Sequence, residues 1–214
     1  MLSIAVAKGR LLDSFLELLS KAGYDCDALL QETRKLVIDV PAAGLQFILA
    51  KPADVPTYVE YGAADLGVVG KDTLTESDKD VAELLDLKYG YCKLVVAVPE
   101  SLNITSVREL DFNSRVASKY PNTANQFFNS HGIQVEIIPL NGSIELGPIV
   151  GLSEAVVDIT ETGRTLVENG LVVLDTIMES TARLIANRIS LKTKREAIVE
   201  LVGALEGVIE NAHR

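Results

Sequence analysis

Short runs of aliphatic and β-branched residues recur along the whole chain, separated by stretches with helical spacing, and that alternation narrows the possible folds most. The runs are LSIAVA at 2–7, KLVIDV at 35–40, LQFILA at 45–50, DLGVVG at 65–70, KLVVAV at 93–98, RVAS at 115–118, VEIIPL at 135–140, AVVDI at 155–159 and LVVLD at 171–175. Amphipathic stretches lie between them at 11–22, 55–62, 124–130 and 144–152. The pattern predicts an α/β protein with largely parallel sheets, because nearly all-apolar strands are strands covered on both faces.

The final segment carries the clearest helical stripe: Ala197, Ile198, Leu201, Val202, Leu205, Val208 and Ile209 share one face. Thr193 followed by Glu196 fits a capping box at its start. A stripe of this kind must be buried, and the expected partner is the N-terminal half. Two polar breaks, within LLDLKYGYCKLVVAVP and DTIMESTARLIANR, suggest that the chain crosses twice between lobes. The expected division is a discontinuous first α/β domain, 1–88 plus 180–214, and an inserted second one, 89–179. Open α/β sheets take ligands at strand C-terminal ends, so a cleft between the two lobes is the expected site.

With 214 residues the chain can bury one large core or two small ones. Its net charge of −10 argues against a nucleic-acid or membrane-surface binder, although a few local cations can still hold a small anion. No apolar run approaches the roughly 18–20 residues that span a bilayer, and the opening residues read as a strand and helix, not as a signal peptide. Cys26 and Cys92 lack metal-type spacing, which leaves a reduced cytoplasmic protein as the expectation. Only His131 and His213 occur, both beside turn or terminal residues, which argues against a histidine-based metal site or a Ser/His/Asp triad.

EAVVDITETGRTL, residues 154–166, leaves an apolar strand at Asp158 and turns through Thr160, Glu161, Thr162, Gly163, Arg164 and Thr165 into a short helix stopped by Gly170. Hydroxyls, free N–H groups and a glycine at such a corner suit a phosphate monoester, with Asp158 or Glu161 accepting from sugar hydroxyls. They equally suit an ordinary turn in which Thr162 or Thr165 caps a helix. Other strand ends carry cations: Lys8, Gly9 and Arg10 after the first, Lys51 after LQFILA with Asp54 as a candidate helix cap, Gly70-Lys71-Asp72 after DLGVVG, and Ser118-Lys119-Tyr120 after RVAS. In an acidic chain, four strand ends that each carry a cation favour a phosphorylated substrate.

The stretch ELGPIVGLSEAVVDITETGRTL, residues 145–166, resembles the signature of the ATP phosphoribosyltransferase family in the spacing of Glu145, Gly151, Ser153, Val156, Asp158, Thr162, Gly163, Thr165 and Leu166. KGRL, KPADVPTYVEYGAADLGVVGKD, KYGYCKLVVAVP, SKYPNTA and RLIANRISLKTKR resemble further family segments, so the likeness spans nearly the whole chain. It implies two lobes similar to type II periplasmic binding proteins, and a reaction in which adenine N1 of ATP displaces pyrophosphate from 5-phosphoribosyl pyrophosphate, with Mg2+ held mainly by substrate phosphates. By the same likeness, 160–165 would hold the 5-phosphate and Asp158 would orient ribose hydroxyls. Lys8, Gly9, Arg10, Lys51, Lys71 and Lys119 would meet pyrophosphate and ATP, with Lys8, Arg10 and Asp158 as the catalytic set. The family more usually has arginine where Lys51 stands, so a point charge replaces a bidentate fork. The length resembles the family's short form, which implies a homodimer within a hetero-oligomer and a regulatory subunit resembling histidyl-tRNA synthetase. The rival expectation is a non-catalytic solute-binding protein of the same fold that closes on a small anion.

Overall fold

A computed structural model describes residues 1–26 and 34–212; His213 lies outside the described residues. The chain divides into two compact units, Met1–Gly90 with Thr181–Arg214, and Tyr91–Ser180.

The first unit contains β1 (Leu2–Ala7), α1 (Arg10–Lys21), β2 (Val37–Val40), β3 (Leu45–Ala50), α2 (Val55–Glu60), β4 (Leu66–Gly70), α3 (Lys71–Ser77), β5 (Ala82–Asp86). The second contains β6 (Cys92–Pro99), β7 (Ser114–Ser118), α4 (Pro121–Ser130), β8 (Val135–Pro139), α5 (Leu146–Ile149), β9 (Ala155–Thr160), α6 (Arg164–Glu168) and β10 (Leu171–Ser180). The chain then returns to the first unit with β11 (Ala182–Ala186), α7 (Ser190–Thr193) and α8 (Arg195–Ala212).

The first unit's sheet runs β2-β3-β1-β4-β11-β5. One face is covered by Leu12, Phe15, Leu16 and Leu19 of α1 together with Ile198, Leu201 and Leu205 of α8, so the terminal helix does return to the N-terminal half. Val55 and Val59 of α2 pack with Ala5, Val69 and Ile185 in a separate cluster. Full burial of side chains such as Phe15 and Phe47 contributes about 1.5–3 kcal/mol each.

A buried carboxylate ties these elements together. Asp65, just before β4, is only 5% exposed. It accepts from the Ser3 N–H and hydroxyl, both at 2.9 Å, from the Ser190 hydroxyl at 2.7 Å and from Lys194 at 2.7 Å. Burial alone would push its pKa up, but Lys194 and the serine donors outweigh burial and hold it below the usual carboxylate value.

The second unit's sheet runs β10-β6-β9-β7-β8. Leu94, Val96, Val116 and Val157 pack with Ala124 and Phe128 of α4.

Several expectations are corrected. Neither sheet is largely parallel. β1 pairs in parallel with β3 and β4, and β7 with β8 and β9, while β2, β5, β6, β10 and β11 join antiparallel. Residues 82–86 and 182–186 form unforeseen strands because charged Glu83, Asp86 and Arg183 interrupt their apolar runs and pair with each other across the sheet. β10 extends five residues beyond LVVLD, since an edge strand with mixed exposure lacks a continuous apolar run. The capping box does not form: Thr193 ends α7 and its hydroxyl donates back to the Ile189 carbonyl at 3.2 Å. Asp54 occupies the position before α2 but makes no side-chain cap bond. Only Leu146–Ile149 of 144–152 is helical, with Gly151 in a left-handed turn beyond it.

Candidate active site

Because β7, β8 and β9 of the second unit are mutually parallel neighbours, their C-terminal ends share one edge of the sheet. Ser118 ends β7 fully buried. Its hydroxyl donates to the Val157 carbonyl and accepts from the Tyr120 N–H, both at 2.8 Å, and this fixes the turn that presents Lys119 to solvent. The chain leaving β8 reaches Glu145 before α5, and Asp158 lies near the end of β9.

The corner after β9 is built by its own hydroxyls. The Gly163 N–H donates to Thr160 Oγ1 at 2.8 Å, and the Arg164 N–H approaches Thr162 Oγ1 at a long 3.4 Å. Gly163 has φ +78°, a conformation costly for residues with a Cβ, and it stands at the position before α6. The first helical bond runs from the Val167 N–H to the Gly163 carbonyl at 3.1 Å, so the Thr165 and Leu166 N–H groups precede the helical ladder and have no acceptor within it. The capping reading is corrected: Gly163, not Thr162 or Thr165, stands at the N-cap of α6, and no side chain caps it. Nothing lies within 4 Å of the place a Gly163 Cβ would occupy. α6 has only five residues, so its dipole is weak and local hydroxyl and N–H donors must do the binding.

A cavity of about 390 Å³ lies at this corner, lined by Glu145, Asp158, Ile159, Thr160, Glu161, Thr162, Arg164, Thr165 and Leu166. Of the residues expected there, only Gly163 is not part of the lining. Asp158 is half-buried, and burial raises its pKa above the usual carboxylate value; Glu145 adds to the rise, while the Ile159 N–H at 2.8 Å and Lys119 pull it back. Arg164 pairs with Glu168 at 2.7 Å on the exposed side of the turn. Glu145 belongs to the signature but was not marked as a site residue; its signal was its place at the head of that signature.

The first unit gathers the other expected residues. β3, β1 and β4 are parallel neighbours, so Lys51, Lys8-Gly9-Arg10 and Lys71 follow strand ends on one sheet edge. Gly9 has φ +93°, which lets the chain turn directly from β1 into α1. Lys8, Arg10 and Lys51 are exposed. Lys71 differs: it is half-buried and bound to Glu83 of β5 at 2.5 Å. A larger cavity of about 810 Å³ follows α1 and the turn to Cys26 and contains none of the expected site residues.

Residues 51–207 match the family described as HisG: ATP phosphoribosyltransferase. An ATP phosphoribosyltransferase of Citrifermentans bemidjiense is 51% identical over 96% of this chain and 97% of its own length. Another, of Caldanaerobacter subterraneus, is 54% identical over 97% of each. The chain belongs to the ATP phosphoribosyltransferase family. A solved structure of the family, the ATP phosphoribosyl transferase (HisG:HisZ) complex from Thermotoga maritima, aligns with a TM-score of 0.84 and 35% identity over 99% of this chain and 100% of that one. The periplasmic aliphatic sulphonate binding protein SsuA from Escherichia coli aligns at a TM-score of 0.62 and 16% identity, over 97% of this chain and 68% of that one. That likeness concerns the fold, and at that level the family member matches periplasmic binding proteins as its sequence implied.

Proposed function

We propose that the chain joins adenine N1 of ATP to the anomeric carbon of 5-phosphoribosyl pyrophosphate, releasing pyrophosphate in the first step of histidine biosynthesis. The observation that carries this reading is the cavity in which the Thr160–Thr165 turn and Asp158 converge, in a chain about half identical to ATP phosphoribosyltransferases over almost its whole length. The solute-binding alternative rests on fold likeness alone and is not favoured.

The chemistry asks mainly for positioning and charge. Adenine N1 brings its own lone pair, so no strong base is needed before attack. The anomeric carbon gains oxocarbenium character as its bond to pyrophosphate lengthens, and charge collects on the leaving group. On this reading the Thr160, Thr162 and Thr165 hydroxyls and the Thr165 N–H hold the 5-phosphate, Gly163 and Arg164 shape the turn through their N–H groups toward Thr160 and Thr162, and ionised Asp158 accepts from a ribose hydroxyl. Lys8, Arg10 and Lys51 take phosphates of ATP and of departing pyrophosphate, and Lys119 adds charge beside Asp158. Lys71 contributes only by giving up Glu83. Holding two bulky anions in line supplies on the order of 7–11 kcal/mol.

Magnesium fits the residues present as an ion shared with substrate. Asp158 and Glu145 offer hard oxygen donors at the cavity, and among the described residues no group of three or more His, Cys, Asp or Glu forms a protein-only site. When bound, the ion would neutralise phosphate charge.

A regulatory partner is part of the proposal, supported by the Thermotoga maritima complex, as are a homodimeric catalytic core and a cytoplasmic setting. Among the described residues no helix is long and apolar enough to cross a membrane. Incubating the chain with ATP, phosphoribosyl pyrophosphate and Mg2+ should give the ultraviolet absorbance of the N1 adduct together with pyrophosphate. Pyrophosphate release with another acceptor base, and none with ATP, would refute the assignment.

A further inference from the structure

The parallel strands β3, β1 and β4 end on one edge of the first unit's sheet, and the cation after β4 differs from the others. In the order β2-β3-β1-β4-β11-β5, the ends of β3 and β1 lie on one side of β4, and β11 and β5 on the other. Lys51, Lys8 and Arg10 are exposed on the first side. The Lys71 ammonium is drawn the opposite way, across β11 to Glu83 Oε2 of β5 at 2.5 Å.

Glu83 does not serve Lys71 alone. Its other oxygen, Oε1, lies 3.4 Å from Nε of Arg183 on β11. Arg183 is anchored separately, since its Nη1 pairs with Asp86 at 2.7 Å. Its Nε is buried and makes no hydrogen bond. A buried guanidinium N–H without an acceptor is unfavourable, and here a carboxylate stands just beyond reach of it. Glu83 thus faces two cations and hydrogen-bonds one of them. Once Lys71 leaves, closing that 3.4 Å gap to ordinary hydrogen-bond length completes the bond to Arg183, so neither Glu83 nor Arg183 is stranded.

We propose that Glu83 is a positioning residue that withholds Lys71 from anions at this sheet edge and passes to Arg183 Nε when a phosphate takes Lys71. The proposal rests on the functional reading above, in which this edge meets ATP and pyrophosphate, and adds a limit on how tightly it holds them. Side chains of the Lys71–Glu83 pair are 34% and 35% exposed, so the restraint is mild. Removing it should tighten anion binding by about two- to fivefold. A weaker grip shared by substrate and product favours release of pyrophosphate.

Calorimetric titration of the full chain with ATP and with pyrophosphate, both with chelator, compares the wild type with Glu83→Ala, Lys71→Met and the double variant. Glu83→Ala should bind both anions about two- to fivefold tighter, while Lys71→Met stays within about threefold of the wild type. Adding Glu83→Ala to Lys71→Met should give no further gain. Loss of a negative charge acting only at a distance would tighten both backgrounds equally, so the same gain with and without Lys71 overturns the proposal. Should alanine disturb β5, seen by circular dichroism, Glu83→Gln keeps the shape and gives the same comparison. The Arg183 Nε–H resonance, identified by its loss in Arg183→Lys, should move when pyrophosphate is added to the wild type and stand already moved in Lys71→Met. A resonance that stays in place in both overturns the passage to Arg183. A wild type that binds both anions no less tightly than the Glu83 variants overturns this proposal and leaves the reading of the edge standing. A wild type that binds neither removes that reading, and this proposal with it.

Discussion

Asp65 and Asp158 are both carboxylates at strand ends, and their surroundings are opposite. Asp65, at the entry to β4, is nearly inaccessible and receives two donors from Ser3, one from Ser190 and one from Lys194. Asp158, near the exit of β9, is half-buried, receives one backbone N–H, and faces Glu145. The first has its pKa held down because its hydrogen bonds outweigh burial; the second has it pushed up because burial outweighs them. A saturated carboxylate ties β1, the entry to β4, α7 and the junction between α7 and α8 together. An unsaturated one is stabilised only when a ligand arrives, and that distinguishes a structural acid from a functional one.

The cations repeat the contrast. Lys71 is bound to Glu83 across the sheet, while Lys51 is exposed after β3. Both follow strand ends on the same edge, so position alone does not separate them.

The largest effect should come from Asp158→Asn, which keeps the shape and removes the charge that accepts from ribose. Steady-state kinetics should show kcat/KM for phosphoribosyl pyrophosphate falling about ten- to a hundredfold. Thermal unfolding should move the other way. A carboxylate whose folded pKa is raised contributes stability below its unfolded pKa and loses it as pH rises through the folded value. At neutral pH the ionised Asp158 is thus a burden, and the variant should melt higher. The wild-type kcat/KM should also fall on acidification at a pH above the usual carboxylate range, and this limb should vanish in the variant. A variant with lower stability and lower activity together would place Asp158 with Asp65.

The lysines come next. Lys51→Met should raise KM for ATP by about tenfold, the loss of one charge-assisted contact, and Lys71→Met by less than about threefold. Equal effects would mean that the Glu83 pair opens readily when substrate binds.

Asp65→Ala should change turnover least, leaving kcat/KM within about twofold at a temperature where the protein is folded. Its effect belongs to stability: a loss of about 2–3 kcal/mol is expected, since the serines lose their acceptor, whereas Lys194, 44% exposed, regains water. For a chain of this size that lowers Tm by roughly 5–10 °C. The depressed pKa has the opposite linkage from Asp158: its contribution is present above the usual carboxylate value and lost as pH falls through the folded one. Acid unfolding of the wild type should therefore include a step that Asp65→Ala lacks.

Much of this architecture was readable from the residues. Apolar runs placed the central strands because β1, β4 and β7 are buried nearly end to end, and β9 over its first half. The Asp158–Thr165 corner was visible because hydroxyls and a glycine after such a strand are a local feature, and its left-handed glycine is the local geometry those residues favour. Sheet direction was not readable: parallel and antiparallel neighbours demand similar apolar runs, and antiparallel β6 is buried as fully as parallel β1. β5 and β11 escaped notice because their charges are balanced across strands, a fact of register. The same holds for Lys71, whose partner lies twelve residues away on another strand. Thr193 was misassigned because its hydroxyl found the preceding turn's carbonyl before the next helix began. Glu145 was signalled only by its place at the head of the signature, since twelve residues of intervening chain separate it from Asp158 until β9 and α5 bring them to one cavity.

Titrating phosphoribosyl pyrophosphate into Gly163→Val by calorimetry, with circular dichroism as the control for folding, addresses the phosphate-holding corner most directly. Valine is disfavoured at φ +78°, and its methyl groups would enter space that the protein leaves open. The account predicts no measurable binding by a folded protein. Binding at wild-type strength would mean that the corner only caps α6, and that the sugar phosphate is held elsewhere.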